Sequence, residues 1–128
     1  MNSTASHILR VGLGITFIVI GFVVWLAPEA WGSFVQPWAV KFMPGGLVAT
    51  MKNTAILDIV LGSWMLTNRA VWIPALIATL HLLVILITTT TTGLIIERDI
   101  GLFFAALALF FATAPKKICE KLCEEMKK

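Results

Sequence analysis

The chain has 128 residues, of which 59% are hydrophobic and only 13% charged, and its mean hydropathy is +0.92. A soluble domain of this length has too much surface for its volume to bury so much apolar material. Lipid resolves that conflict, and only helices and closed barrels span it. Because the apolar segments are continuous runs without alternation, the sequence predicts membrane-spanning helices.

The formal net charge of +3 comes mainly from the C-terminus, where lysines and glutamates are interleaved. No other basic cluster or base-stacking surface accompanies these lysines, so we expect no nucleic-acid partner. Membrane lipid is the expected environment. A membrane-protein partner or a second copy of the chain is compatible with the composition.

The first predicted span covers about residues 7–26. Gly12, Gly14 and Gly21 lie within it and permit close approach of a neighbouring helix. Arg10 lies one turn inside the start and can extend its charge to the lipid headgroups. The apolar run is longer than the core of a signal peptide and no clean cleavage site follows it, so we expect the span to be retained.

Residues 28–45 are too polar and too often interrupted by proline to span a membrane. Their aromatic side chains, including Trp31 and Trp38, are typical of the membrane–water boundary. We expect one or two short interfacial helices, near 28–35 and 37–43. The functional alternative is that this segment covers a cavity.

The second span, about residues 46–67, and the third, about 71–90, form an antiparallel hairpin. Asp58 and His81 lie at nearly equal distances from its turn and should therefore reach the same depth, near the membrane midplane. A charge facing lipid there costs about 2.5–3.5 kcal/mol, so Asp58 should face protein. Three interpretations of the pair are open. It locks the hairpin through a hydrogen bond, it lines a cavity or cofactor site, or the equal depth of the two residues is a coincidence.

The third span ends in a run of threonines from Thr88 to Thr92. Threonine hydroxyls can bond to the carbonyl one turn earlier, so we expect this run to remain helical. If the face carrying His81, Thr88 and Thr92 turns inward, it provides a polar route toward the outer mouth of the bundle.

The fourth span, about residues 97–114, has an apolar run that is short for a hydrocarbon core of about 30 Å. Either the helix begins earlier, near Leu94, or the bilayer thins around it. An earlier start draws Glu97, Arg98 and Asp99 into the membrane, where they should face the bundle and form ion pairs.

Residues 115–128 are expected to form an amphipathic tail. Cys119 and Cys123 within it would share one helical face, at a separation too long for an unstrained disulfide. Contact with lipid, palmitoylation and a redox or metal role are the alternatives for these thiols. Two thiols without a nearby histidine form a weak metal site, and we expect no bound metal.

Basic residues in the short loops predict the orientation. Arg10, Arg69 and the tail lysines share one side of the membrane, whereas Lys41, Lys52 and Arg98 share the other. The first side carries more positive charge, which predicts a multi-pass protein of the cell membrane with both termini in the cytoplasm.

Several enzyme and cofactor classes find little support. His7 and His81 would lie about half a membrane apart, so a bis-histidine haem is not expected. Gly12 and Gly14 lie inside a span, so they do not form a nucleotide-binding loop. No nucleophile triad is indicated.

Motifs distributed over the spans resemble the DoxX-like family of small membrane proteins. The first span has the order Arg10, glycine, Phe17 and Gly21, and the second has Asp58, glycine, leucine and Arg69. The fourth begins with Arg98-Asp99-Ile-Gly-Leu, similar to the family's last helix. Residues 8–114 are covered, and the family often has glutamate where this chain has Asp58.

This resemblance implies a four-helix membrane protein. Some members are linked to redox systems, including subunits of thiosulfate:quinone oxidoreductase, which makes a quinone the cofactor to consider. More distant relatives assist the assembly of other membrane proteins.

Together these observations predict an all-α fold. We expect a left-handed four-helix transmembrane bundle with an interfacial helical segment between spans one and two and an amphipathic C-terminal tail. One function hypothesis is an accessory or subunit of a redox system, with a cavity for a quinone- or lipid-like ligand. The other is a non-catalytic assembly factor or scaffold that packs through the glycines of span one.

In the first hypothesis, six residues form the ligand site. Asp58 and His81 are its polar anchors, Arg98 and Asp99 line its mouth, and Trp31 or Trp38 covers it. Whether the protein is an enzyme is left open.

Overall fold

A computed structural model describes residues 3–89 and 94–127. Over these ranges the chain is helical and forms no β-strand, only one isolated bridge, which confirms the predicted all-α class. The helices are α1 (Ser3–Leu26), α2 (Pro28–Gly32), α3 (Pro37–Val40), α4 (Leu47–Leu66), α5 (Trp72–Thr88), α6 (Leu94–Thr113) and α7 (Lys116–Glu125).

The threonine run does not continue α5 as the sequence suggested. Thr89 has an extended backbone, with φ −95° and ψ 158°. Its neighbour Thr88 accepts a 2.8 Å hydrogen bond from the Gln36 amide, and Thr89 forms an antiparallel bridge with Val35. The predicted third span reached about residue 90, and this is wrong at Thr89, because the backbone of Val35 and Gln36 pairs with that of Thr88 and Thr89. Thr90 to Thr92 lie outside the described residues.

Helix α6 begins at Leu94, the earlier of the two starts considered. Its 20 residues correspond to about 30 Å of helix, similar to the hydrocarbon thickness of a bilayer. The earlier start includes the charged triplet in the helix. Glu97 is nevertheless exposed, so the expectation that all three charged side chains face the bundle is wrong for this residue.

Helices α1 and α4 pack at close range because glycines line their interface. A Cβ added at Gly62 would lie 2.5 Å from the Gly14 carbonyl oxygen, and one at Gly21 would lie 2.7 Å from the Ala55 carbonyl oxygen. No side chain fits at these positions unless the backbones separate. Helices α5 and α6 form the second closely packed pair, and contacts between the two pairs are sparser.

The α4–α5 connection is a tight turn closed by local hydrogen bonds. Asn68 and Ala70 have positive φ angles of 59° and 46°, and the Trp64 indole donates to the Arg69 carbonyl at 3.0 Å. From α1, Arg10 donates to the carbonyls at the C-terminal end of α4, at 2.7 Å for Met65 and 3.1 Å for Leu66. Carbonyls that the helix leaves without intrahelical partners are thus satisfied.

The packed core occupies the half of the bundle next to this turn. Each long helix contributes the half that runs near the turn. The core contains Leu13, Phe17, Leu61, Met65, Val71, Ala75, Ala78, Leu82, Ala106, Leu109 and Phe110. Within the described ranges, the opposite half of the bundle contributes no residue to this core. Over that half lies a segment that we call the covering segment, which comprises residues 27–46 and includes α2 and α3.

Fewer helices are long and apolar enough to cross a membrane than the sequence predicted. Among the described residues, α1 is the one helix that is by itself long and apolar enough to cross a bilayer, with a mean hydropathy of 2.3 in its best window. The segment Ile96–Thr113 meets the test only together with α7, and the chain bends by 120° between them. Helix α5 is apolar but shorter.

Candidate functional site

A cavity of about 310 Å³ lies between the two helix pairs, beneath the covering segment. Its walls are mostly apolar and come from helices α1 to α6 and the loops of the covering segment. Near the packed core it is bounded by Asp58 and His81, and farther out by Arg98 and Asp99. The other lining residues are Ile20, Val24, Trp31, Phe34, Val35, Ala39, Phe42, Met43, Pro44, Thr50, Met51, Thr54, Val84, Ile85, Thr88 and Thr89.

Helices α4 and α5 bring Asp58 and His81 together. The Oδ1 atom of Asp58 lies 3.3 Å from Nε2 of His81, and the side chains are 5% and 14% exposed. Both atoms are buried, yet neither has a hydrogen-bond partner of good geometry in the described part of the chain. The two groups are thus in electrostatic contact but are not locked by a directed hydrogen bond, which leaves both atoms able to accept a further partner.

A second charged pair lies on the α6 side of the cavity. Both Nε and one terminal nitrogen of Arg98 contact Oδ1 of Asp99, at 2.9 Å and 2.8 Å. The guanidinium also lies over the Trp31 ring, 5.2 Å from its centroid, in cation–π geometry. Arg98 therefore connects α6 to α2 in the covering segment, and Asp99 balances its charge.

The covering segment is held at several other points. The bridge between Val35 and Thr89 ties it to the end of α5. The Thr50 hydroxyl donates to the Pro44 carbonyl at 3.3 Å, which ties its last turn to α4. These contacts hold Trp31 and the rest of the segment above the cavity.

Two of the apolar lining side chains reach the surface of the chain. Phe42 and Val84 are 80% and 57% exposed. A ligand whose hydrocarbon part left the cavity beside them would contact apolar groups.

Five of the six predicted site residues surround this cavity, and one does not. Trp38 is 49% exposed and does not line it. The reason is helical phase, because the next residue of α3, Ala39, is 5% exposed and faces the cavity. The proposed covering role of Trp38 is therefore corrected, and Trp31 remains.

Sequence reasoning missed Thr50 and Thr54 as lining residues. With Asp58 they recur at intervals of four along α4, so all three share one helical face. That spacing was available in the sequence. Ile20 and Val24 of α1 gave no such signal, because every face of that helix is apolar.

No cluster of three or more histidine, cysteine or acidic side chains that could hold a metal occurs within residues 3–89 and 94–127. Both cysteines are free thiols on α7. Cys119 is half-buried, with its sulfur 3.8 Å from the Phe111 carbonyl oxygen, whereas Cys123 is exposed.

Comparisons with protein families, curated proteins and solved structures find no match to this chain. The cavity has mostly apolar walls and a few convergent polar groups, features that are typical of ligand sites.

Proposed function

We propose that this chain is a multi-span protein of the cell membrane, crossed by α1, α4, α5 and α6. Exposed apolar side chains on all four helices support this proposal. Monomeric soluble proteins seldom leave such extended apolar surfaces uncovered. The exposed side chains include Ile8, Ile15, Val19 and Phe22 on α1, Ile56 and Val60 on α4, Leu80, Leu83, Val84 and Ile87 on α5, and Ile100, Phe104 and Phe111 on α6.

In this arrangement both termini are cytoplasmic and the covering segment is outside. Cysteine labelling in a Cys119→Ser/Cys123→Ser background tests it. Ser33→Cys, exposed in the covering segment, should react with an impermeant maleimide on intact cells. Lys127→Cys should react only after permeabilisation. The reverse pattern would overturn the orientation.

Within that membrane protein, the cavity holds a quinone- or lipid-like ligand, and the chain serves as an accessory or subunit of a membrane redox system. The observation that carries the ligand part is the convergence of Asp58, His81, Arg98 and Asp99 in a cavity with mostly apolar walls. The redox part rests on the resemblance to the DoxX-like family.

Each lining group has a role in this proposal. Asp58 and His81 hold the polar head of the ligand beside the packed core. Arg98 and Asp99 line the outer part, and Trp31 covers it. The tail of the ligand extends between the exposed apolar groups toward lipid.

Mass spectrometry of the purified protein tests ligand binding. Protein extracted in mild detergent should carry a quinone or lipid at near-stoichiometric amount. Asp58→Asn removes the anchor charge while keeping the side-chain volume, and it should lose most of that molecule. Glu97→Gln, which removes an exposed carboxylate outside the cavity, is the matched control and should retain it.

The second candidate function is that of an assembly factor or scaffold. One observation favours it: Gly12 on α1 and Gly101 on α6 are exposed, and a Cβ at either would meet nothing within 4 Å. Such positions permit close approach of a partner helix or a second copy. Gly14 and Gly21 are already used against α4.

The two candidates predict different results. A scaffold should purify without a bound small molecule in both wild type and Asp58→Asn. It should also lose a cross-linked partner helix when Gly12 is replaced by leucine, whereas ligand retention should not respond to that change.

A further inference from the structure

We propose that the head group this cavity receives is a protonated amine, so that the ligand is a lipophilic amine. The inference rests on the ligand-binding part of the proposed function and, of the two ligand classes named there, favours a lipid-like molecule over a quinone. It follows from which polar atoms of the cavity are already satisfied and which are not.

Arg98 does not offer a free positive charge to an anionic head. Two of its nitrogens contact Asp99 Oδ1, at 2.9 Å and 2.8 Å, and its guanidinium lies over Trp31. A carboxylate or phosphate head would have to compete with Asp99 for this guanidinium. It would also lie in a cavity that already contains two carboxylates, where like charges repel.

Asp58 is the lining carboxylate without a comparable partner. Its residue is 3% exposed, and its Oδ1 atom receives no well-directed hydrogen bond from the described residues. His81 lies 3.3 Å away, but its Nε2 is not oriented to donate to that oxygen. The formal charges of Asp58, Arg98 and Asp99 sum to −1. An ionised carboxylate buried in this way is costly unless a cation and a donor reach it.

A protonated amine supplies both needs. Its N–H groups can donate to Asp58, and its positive charge neutralises the cluster. The carbonyl oxygens of a quinone can accept but cannot donate, so they leave Asp58 Oδ1 unsatisfied. A hydroxyl donates but brings no charge. The apolar walls and the exposed lining side chains Phe42 and Val84 suit the hydrocarbon part of the molecule.

Three probes with the same alkyl chain test the head-group chemistry. Octylamine, octanol and octanoate are titrated at neutral pH into the full-length protein in lipid nanodiscs, and empty nanodiscs provide the blank for calorimetry. Hydrogen bonds to charged groups contribute about 1.5–3 kcal/mol, so octylamine should bind about 10- to 100-fold more tightly than octanol. Octanoate should bind most weakly.

Variants connect that preference to Asp58. Asp58→Asn should lower the affinity for octylamine by about 10- to 100-fold while leaving octanol within a few-fold of wild type. Asp58→Glu should retain the preference for amine, and Glu97→Gln, on the exposed face of α6, should not change it. If Asp58→Asn does not fold, the order of the three affinities for the wild-type protein still tests the amine assignment.

The possible results separate the amine assignment from the presence of a ligand cavity. Octanol binding as tightly as octylamine, or octanoate binding more tightly, would overturn the amine assignment and leave the ligand cavity standing. Unchanged octylamine affinity in folded Asp58→Asn would also overturn it. Binding of none of the three above the blank would refute both this inference and the ligand part of the proposed function.

Discussion

Replacing Gly62 by alanine should force α1 and α4 apart. The added Cβ would lie 2.5 Å from the Gly14 carbonyl oxygen and 3.0 Å from the Ile18 amide nitrogen, whereas ordinary contact begins at 3.4 Å. Both neighbours are backbone atoms, so neither can rotate away. The helices must therefore separate by most of the 0.9 Å between 2.5 and 3.4 Å.

The expected loss of stability can be estimated from two opposing effects. Overpacking of a close interface costs about 1–3 kcal/mol. The better helix propensity of alanine offsets at most about 1 kcal/mol of this. With the full offset, Gly62→Ala should lower the free energy of unfolding by about 0–2 kcal/mol, and by about 1–3 kcal/mol relative to a glycine-to-alanine control with the same gain in propensity. Gly12→Ala on α1 is the matched control, because its Cβ meets nothing within 4 Å and the variant should be neutral or slightly stabilised.

Unfolding by increasing dodecyl sulfate in mixed micelles, followed by tryptophan fluorescence, measures this difference. Equal stability of Gly62→Ala and Gly12→Ala would refute the claim that α1 and α4 are in backbone contact. Because Gly62 lies one turn from Asp58, separation of the helices should also displace that carboxylate and weaken ligand retention.

Three further predictions use the same purified protein. Arg10→Gln should lower the free energy of unfolding by about 1–2 kcal/mol, because it removes a charge-assisted bond of 2.7 Å to the Met65 carbonyl; unchanged stability in the dodecyl sulfate titration would contradict this role. Gly46→Ala should cost about 1–2 kcal/mol through backbone strain alone, since φ is +89° and space for a Cβ is open; a stabilised variant would argue against that backbone conformation. Maleimide should modify the exposed Cys123 faster than the half-buried Cys119 in single-cysteine variants, and the opposite order would contradict the packing of α7.

The sequence predicted correctly that Asp58 and His81 lie at the same level of the hairpin, because that prediction needed only a helix rise and a turn. Equal distances from one turn bring two residues of antiparallel helices to the same level, whatever the rotation of each helix. Rotation is the quantity that one sequence does not supply. Trp31 and Trp38 were equivalent in the sequence, and only the packing of the covering segment separates them.

Competition between local and distant hydrogen bonds explains why α5 ends at Thr88 and not near residue 90 as predicted. Bonding of threonine hydroxyls to the carbonyl one turn earlier was compatible with a helix through Thr89, but the Gln36 amide donates to the Thr88 carbonyl and the chain becomes extended at Thr89. Gln36 lies far from Thr88 in the sequence, and no local pattern connects them. The start of α6 at Leu94 was predictable as one of two alternatives, because the apolar run after the charged triplet is short for the span that the sequence predicted.

If the space between the helix pairs holds a ligand, a large side chain placed in that space should expel it. Ala39 is 5% exposed and lines the cavity, whereas Ala30 is exposed on the neighbouring short helix and does not. Ala39→Phe should place a ring in the cavity and remove the co-purifying molecule from the mass spectrum, while Ala30→Phe should retain it at the wild-type amount. A molecule that remains bound to folded Ala39→Phe at the wild-type amount would contradict the claim.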